Sequence, residues 1–316
     1  MRTSLANCLL LLEYFLYNIP LLFIYVVCIV AMVKYSRRFR DPFYVLVYSR
    51  AAADFFDNLW LFYIGLIELL DYIPPEILQD FVLYFCYAMI LIVYINSFLM
   101  ALLRFCATAA PLTYKTITSG RVLGCTIVLW ICALAAGTPA FLDCCRYKTQ
   151  HLNSTVTGSV QSLGRYLIMV VGLVLALTAV SSFAISLSSL AKLLRKRRKM
   201  GVGSRKSTSQ DCSLLQQSVS VCFCELLLIL MYTTSSVWSD IDQSKLEWGG
   251  HVFKVAIYTV LSGNGVIYFV FNTRLRQSAL EMLRVWWQKP LVEPCSTGNK
   301  TLPVWTNMTK IKSLKR

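Results

Sequence analysis

Charge is scarce in this 316-residue chain: only 15% of its residues are Asp, Glu, Lys or Arg, against ~25% in a soluble globular protein. Acids are the scarcer sign, 16 against 31 Lys and Arg, which leaves a net charge of +15. Histidine occurs only at positions 151 and 251, and no pair of CxxC motifs exists. The twelve cysteines therefore do not read as a metal site. A Gly-rich phosphate loop, a GxSxG elbow and an HExxH helix are all missing, so no catalytic residue and no cofactor is expected. The basic run Leu194–Lys199 contains no aromatic residue, which argues against a nucleic-acid partner. What the chain has in plenty is apolar surface: 57% hydrophobic residues and a mean hydropathy of +0.58. That excludes disorder and points to an integral membrane protein.

A membrane-spanning helix needs about 20 mostly apolar residues. Seven stretches meet this, near residues 10–33, 43–70, 81–103, 122–142, 166–190, 214–238 and 252–271. The expected fold is all-α, a seven-helix transmembrane bundle over residues 1–285, followed by a basic tail, 286–316, expected to be disordered. The first stretch is too long for a signal peptide core and carries Glu13, so it reads as a retained helix.

The basic residues fix the expected orientation. Twenty-four lie in the segments 34–41, 104–121, 191–211 and 272–316, and five lie in the alternate set. By the positive-inside rule the first set is cytoplasmic; the amino terminus is then outside and the carboxyl tail inside. Most of the +15 is thus topology, with a further role for the 194–199 run in meeting an acidic partner or anionic lipid. The sequon at Asn153 falls outside and is the expected glycosylation site, whereas those at Asn299 and Asn307 fall inside.

Ionisable groups within spans usually face a bundle interior and mark function. Arg50, Asp54 and Asp57 lie at i, i+4 and i+7 and so share one helix face. They make either a structural Arg50–Asp54 pair or an interior polar site whose occupancy changes between two packings. Glu225, midway along the sixth stretch, and Lys254, near the outer end of the seventh, are further candidates. Aromatic residues crowd the outer halves of the helices. They read either as an interfacial belt or as an apolar ligand pocket with Trp60, Tyr63, Phe85, Cys86, Met89, Tyr232 and Tyr258 as lining.

Short motifs add a family resemblance. Leu103-Arg104-Phe105, with Pro111-Leu112-Thr113-Tyr114 after it, resembles the DRYxxxxxPLxY signature of rhodopsin-like G-protein-coupled receptors, with Leu103 in place of the acid. Pro42 to Ala53-Asp54 is similar to the second-helix segment that holds an ion-sensing aspartate. Trp130 with Pro139 resembles the fourth-helix pair, and Asn264-Gly265-Val266-Ile267-Tyr268 resembles NPxxY with Gly for Pro. The Ile19-Pro20 and Phe43-Tyr44 pairs and the weakened third-helix motif are similar to the nematode serpentine chemoreceptors of the gamma superfamily, class V being the subclass they point to. The resemblance implies a sensory-neuron plasma-membrane receptor for an unidentified small molecule, acting through a heterotrimeric G protein. It implies that Arg104, Phe105, Pro111 and Tyr114 meet that protein and that Asp54, Asn264 and Tyr268 form the switch. Residues 272–287 would be a basic amphipathic helix on the inner leaflet lipids, and Cys295 a lipidation site.

The departures are as specific. The sixth helix lacks the CWxP proline, and the cysteine atop the third helix is missing. Cys86 lies about two turns deeper and would reach Cys144 or Cys145 only if the outer loop dipped inward. A rhodopsin-like receptor outside the nematode families would carry a disulfide atop the third helix. A secondary transporter would show internal repeats, and none is visible. Ligand identity, G-protein type and dimerisation are not written in the sequence.

Overall fold

A computed structural model of the chain describes residues 19–70, 72, 74–138, 147–152, 155–160, 162–199, 205–238 and 263–288. In chain order these form α1 (Ile19–Lys34), a 3-10 turn (Ser36–Arg38), α2 (Pro42–Leu70), α3 (Glu76–Ala109), a short α4 (Pro111–Thr116) and α5 (Ser119–Gly137). A hairpin of β1 (Tyr147–Leu152) and β2 (Thr155–Val160) follows, then α6 (Ser162–Lys199) and α7 (Arg205–Trp238). Helix α8 covers residues 263–271, and α9 runs Thr273–Gln288.

The helices begin where local chemistry allows. Asp41 caps α2, its carboxylate accepting from the Phe43 amide at 2.9 Å, with Pro42 at the first helical position where no amide is needed. Pro111 opens α4 in the same way, and Thr118 caps α5 by accepting from the Arg121 amide. Asn272 breaks α8 from α9 and caps the latter, its Oδ1 accepting from the Leu275 amide at 3.1 Å.

Four helical stretches among the described residues are long and apolar enough to cross a membrane: Ile77–Ala109, Ser119–Gly137, Val170–Lys196 and Cys212–Leu230. Helix α2 is as long but carries Arg50, Asp54 and Asp57. Helix α3 is the axis of the bundle, packing against α2, α5, α6 and α7, and half of its apolar window is buried against 17% for α6. The surface of α5 and α6 displays Val128, Ile131, Leu173 and Leu177, each 59–62% exposed. In water this face would be costly; against lipid tails it costs nothing.

The arrangement departs from the sequence expectation in two places. Of the basic segment 191–211, residues up to Lys199 continue α6 and those from Arg205 begin α7, because Lys and Arg are good helix formers. The antiparallel hairpin, with Tyr147 opposite Val160 and Leu152 opposite Thr155, supplies two strands among described residues that are otherwise mainly helical. The first half of the first expected span, the tail 289–316, Cys295, Asn299 and Asn307 lie outside the described residues.

One end of the bundle, its basic end, holds Arg38, Arg104, Lys192 and Lys196. There α9 folds back on α1, burying Leu275, Ala279 and Met282. Their i, i+4, i+7 spacing makes a single apolar stripe. The exposed Arg38 guanidinium meets Glu281 of α9 at 2.7 Å. Hydrogen bonding to Arg38 holds the Glu281 carboxyl below its usual range. Trp286 and Trp287 stay exposed.

Candidate functional site

The charged face of α2 is wholly interior: Arg50 is 0%, Asp54 3% and Asp57 5% exposed. A guanidinium in such a place must be paired, because an isolated charge in a low-dielectric interior is far too costly. Its nearer partner is distant in sequence. Arg50 Nη1 donates to Glu225 Oε1 of α7 at 2.6 Å, whereas Nε lies 3.4 Å from Asp54 Oδ2. The local Arg50–Asp54 pair expected from the spacing is therefore the longer half of a three-residue bridge. Nη1 also reaches the Val93 carbonyl at 3.4 Å.

Helix α3 completes the shell. Ser97 Oγ donates to Glu225 Oε1, and Tyr94 OH to the Glu225 carbonyl at 3.4 Å. Glu225 itself is 1% exposed. Three helices thus meet at one carboxylate, and α7 is tied to α2 and α3 at mid-span. The expected switch residues gather beside this bridge. Asn264 of α8, 1% exposed, approaches the Asp54 carboxylate. Tyr268, 2% exposed, faces Arg50, Asp54 and Glu225.

Tyr25 of α1 is the member that sequence reasoning missed. It is 1% exposed and faces Asp54 and Tyr268. Its ring explains Gly265: a Cβ there would lie 2.8 Å from Tyr25 Cζ and 2.9 Å from Cε2. Glycine in place of the NPxxY proline is thus a packing requirement of α1 against α8, beyond any flexibility it lends. Ser49, Asn96 and Trp130 form a second polar knot. Asn96 Nδ2 and Trp130 Nε1 both donate to Ser49 Oγ, at 2.9 and 2.8 Å, which joins α2, α3 and α5. Trp130 was visible as a motif residue. Tyr25, Ser49, Asn96 and Ser97 carried only the weak signal of a polar group within an apolar run.

At the basic end, the Arg104 guanidinium sits over the Phe43 ring with 3.5 Å to its centroid. Phe105 carries Lys192 Nζ over its own ring at 4.3 Å. Tyr114 of α4 donates to Asp41 Oδ1 at 2.5 Å, so Pro111 and Tyr114 fix α4 against the start of α2. A small cavity of about 120 Å³ opens between α3, α6 and α7, with Arg104, Lys192 and Lys196 in its lining.

At the opposite end, Trp60, Tyr63 and Phe85 line a groove of about 370 Å³ between α2 and α3, together with Phe56 and Phe81. Trp60 stacks on Tyr63 at 5.7 Å and Phe81 on Phe85 at 6.3 Å. Met89 does not join them. It is 0% exposed and packs in the core with Ala53, Ala88 and Ile92, one turn beyond Phe85. Cys86 is a free, half-buried thiol, and Cys144 and Cys145 lie outside the described residues. Tyr232 falls within α7; Lys254, Tyr258 and Asn153 lie outside the described residues. No cluster of His, Cys, Asp and Glu suited to a metal ion occurs among the described residues.

A family model described as serpentine type 7TM GPCR chemoreceptor Srv matches residues 11–285. No curated protein matches the chain.

Proposed function

Because the chain belongs to the serpentine seven-transmembrane chemoreceptor family Srv, we propose that it binds a small apolar molecule at the aromatic end of α2 and α3 and activates a heterotrimeric G protein at the basic end. Membership makes it a multi-pass membrane receptor. The reading adds that the basic end is cytoplasmic, that the amino terminus is outside, and that the receptor works in the plasma membrane of a sensory cell.

The observation that carries the mechanism is the buried Arg50–Glu225 bridge. In receptors with an acid before the third-helix arginine, that pair restrains the helices; here Leu103 stands in the acid's place. The bridge offers the restraint deeper in the bundle, where it ties α7 to α2. A ligand wedged among Trp60, Tyr63 and Phe85 would shift α2 against α3. Because packed interiors move between discrete arrangements, that shift would reset the partners of Arg50 and release the basic half of α7. Asp54, Asn264 and Tyr268 would take up the new arrangement, leaving Arg104, Phe105, Pro111 and Tyr114 open to the G protein. The groove lining supports an uncharged ligand, since among the described lining residues Tyr63 brings the one hydroxyl and none is ionic.

The test is a G-protein activation assay in cells at matched surface expression. Glu225→Gln should raise basal activation, because each ~1.4 kcal/mol removed from the closed state alone shifts the balance tenfold. Adding Arg104→Ala should abolish the rise. Basal activation of Glu225→Gln no higher than wild type would exclude the bridge as the restraint. Ligand-driven signalling that survived Arg104→Ala would exclude Arg104 as the coupling residue.

A further inference from the structure

We propose that Ser213 is a positioning residue that couples α7 to α9: its hydroxyl holds the joint between α8 and α9 bent, so that displacing α7 frees α9. In an unbroken α-helix each amide bonds the carbonyl four residues back, which would give the Phe271 carbonyl to the Leu275 amide. Asn272 diverts that amide, its Oδ1 accepting from it at 3.1 Å. The released carbonyl accepts from Ser213 Oγ of α7 at 2.6 Å, and the Val270 carbonyl beside it accepts from Arg276 Nη1 at 3.1 Å. A backbone carbonyl in a packed interior has to find a donor; here the donor comes from another helix, 58 residues away in the chain. The contact is set in apolar packing. Leu214, next to Ser213, shares one buried cluster with Tyr268 of α8 and with Leu275, Ala279 and Met282 of α9.

Each group at the joint has a second partner in the chain, which turns a fastening into a coupling. If α7 draws Ser213 away, the Phe271 carbonyl can recover the Leu275 amide, and residues 263–288 then run on as one helix. The bent joint makes two of these bonds, Ser213 to Phe271 and Leu275 to Asn272; the straight one makes Leu275 to Phe271 alone. The bent form is therefore favoured by about one net hydrogen bond, a bias small enough for a moving helix to overcome. Straightening re-aims α9, taking Glu281 from Arg38, 2.7 Å away in the bent form, and the apolar stripe from α1. In one respect this rests on the functional reading: breaking the Arg50–Glu225 bridge must release α7. Ser213 lies 12 residues before Glu225 on that helix, a rise of about 18 Å.

Hydrogen exchange of the full-length receptor in phosphatidylcholine nanodiscs tests this, read by mass spectrometry over residues 205–220 of α7 and 273–288 of α9. Ser213→Ala should speed exchange in α9 roughly fivefold, the effect of losing one net hydrogen bond. Ser213→Thr keeps the hydroxyl and should leave it at the wild-type rate. Asn272→Ala returns the Leu275 amide to the Phe271 carbonyl and should act like Ser213→Ala. Because both changes act through one carbonyl, the double variant should go little beyond either. Glu225→Gln, distant from α9, should speed exchange in both segments, and in the Ser213→Ala chain should add nothing to α9. Single effects of Ser213→Ala and Asn272→Ala that multiply, or a Glu225→Gln effect confined to α7, would overturn the coupling. A Glu225→Gln receptor with wild-type exchange in α7 would instead refute the bridge as the restraint, and the Ser213–Asn272 comparison would still decide the joint. No G protein is present, so the outcome stands apart from that of the signalling assay.

Discussion

Removing one side of the Arg50–Glu225 bridge and then both is the sharpest test of the interior. Arg50→Met deletes the charge while keeping an unbranched apolar chain of similar reach, and leaves Glu225, 1% exposed, with the Ser97 hydroxyl but, among the described residues, no counter-charge. Breaking a buried pair in this way costs about 3–5 kcal/mol. Glu225→Leu leaves Arg50 with Asp54 at 3.4 Å, which offsets part of the loss, so about 3 kcal/mol is expected. The double variant buries no unpaired guanidinium and one carboxylate fewer. A buried pair exchanged for apolar residues is often neutral, so the double variant should be more stable than the sum of the singles by roughly 2 kcal/mol. For a chain of this size 1 kcal/mol moves an unfolding midpoint by roughly 2–4 °C. Each single change should therefore lower the midpoint in mild detergent by roughly 6 °C or more, with the double variant recovering several degrees. Asp54→Asn, read in the same assay, reports the longer half of the bridge and should cost less than Glu225→Leu. Single effects that add to within about 0.5 kcal/mol would mean that the two residues do not act as a pair, and the account of α7 held to α2 would fall.

Three further outcomes are expected. Gly265→Ala should destabilise the receptor, because a Cβ 2.8 Å from Tyr25 Cζ forces an overpacked interior at about 1–3 kcal/mol, only partly offset by about 1 kcal/mol of helix propensity. Tyr25→Leu in the same chain should relieve it, and an unchanged midpoint for Gly265→Ala alone would refute the packing role. The Arg38–Glu281 contact makes α9 docking acid-sensitive. The Glu281 carboxyl lies below its ordinary value when docked, so its contribution is full at neutral pH and is lost as pH falls through that depressed range. Fluorescence of Trp286 and Trp287 should show this step, and Glu281→Gln should remove it. In cells, Asn153→Gln should abolish the mobility shift produced by removing N-linked sugar, whereas Asn299→Gln and Asn307→Gln should leave it; the opposite pattern would invert the topology.

How far the sequence revealed this architecture depends on the range of each interaction. Apolar runs are local, and the described residues of the stretches near 81–103, 122–142, 166–190 and 214–238 fall on α3, α5, α6 and α7. Helical spacing is also local, so the common face of Arg50, Asp54 and Asp57 was legible, and all three are buried. What spacing cannot see is a partner 175 residues away. Glu225 stood out only as an acid in mid-span, and the i, i+4 rule favoured Asp54 as the mate. Gly265 was similarly half-legible: its departure from NPxxY was plain, but the reason for it lies in the ring of Tyr25 on another helix. A pattern of rings near one end likewise says nothing about which neighbours enclose α3 there, and Met89 packs with Ala88 and Ile92. The 191–211 segment was set between two apolar stretches by its charge, but charge decides only where a helix leaves the apolar layer, and α6 runs on to Lys199.

The seating of Arg104 on Phe43 changes what can unlatch the basic end. An acid–arginine latch holds through a carboxylate, and a proton or a high concentration of salt loosens it. The ring of Phe43 takes up no proton at any pH a cell meets, and it is 1% exposed, beyond the reach of dissolved counter-ions. The contact yields only to movement, when α2 and α3 slide far enough to carry the guanidinium off the ring. This one contact would follow helix displacement, in contrast to the Arg38–Glu281 pair at the same end, which a proton loosens.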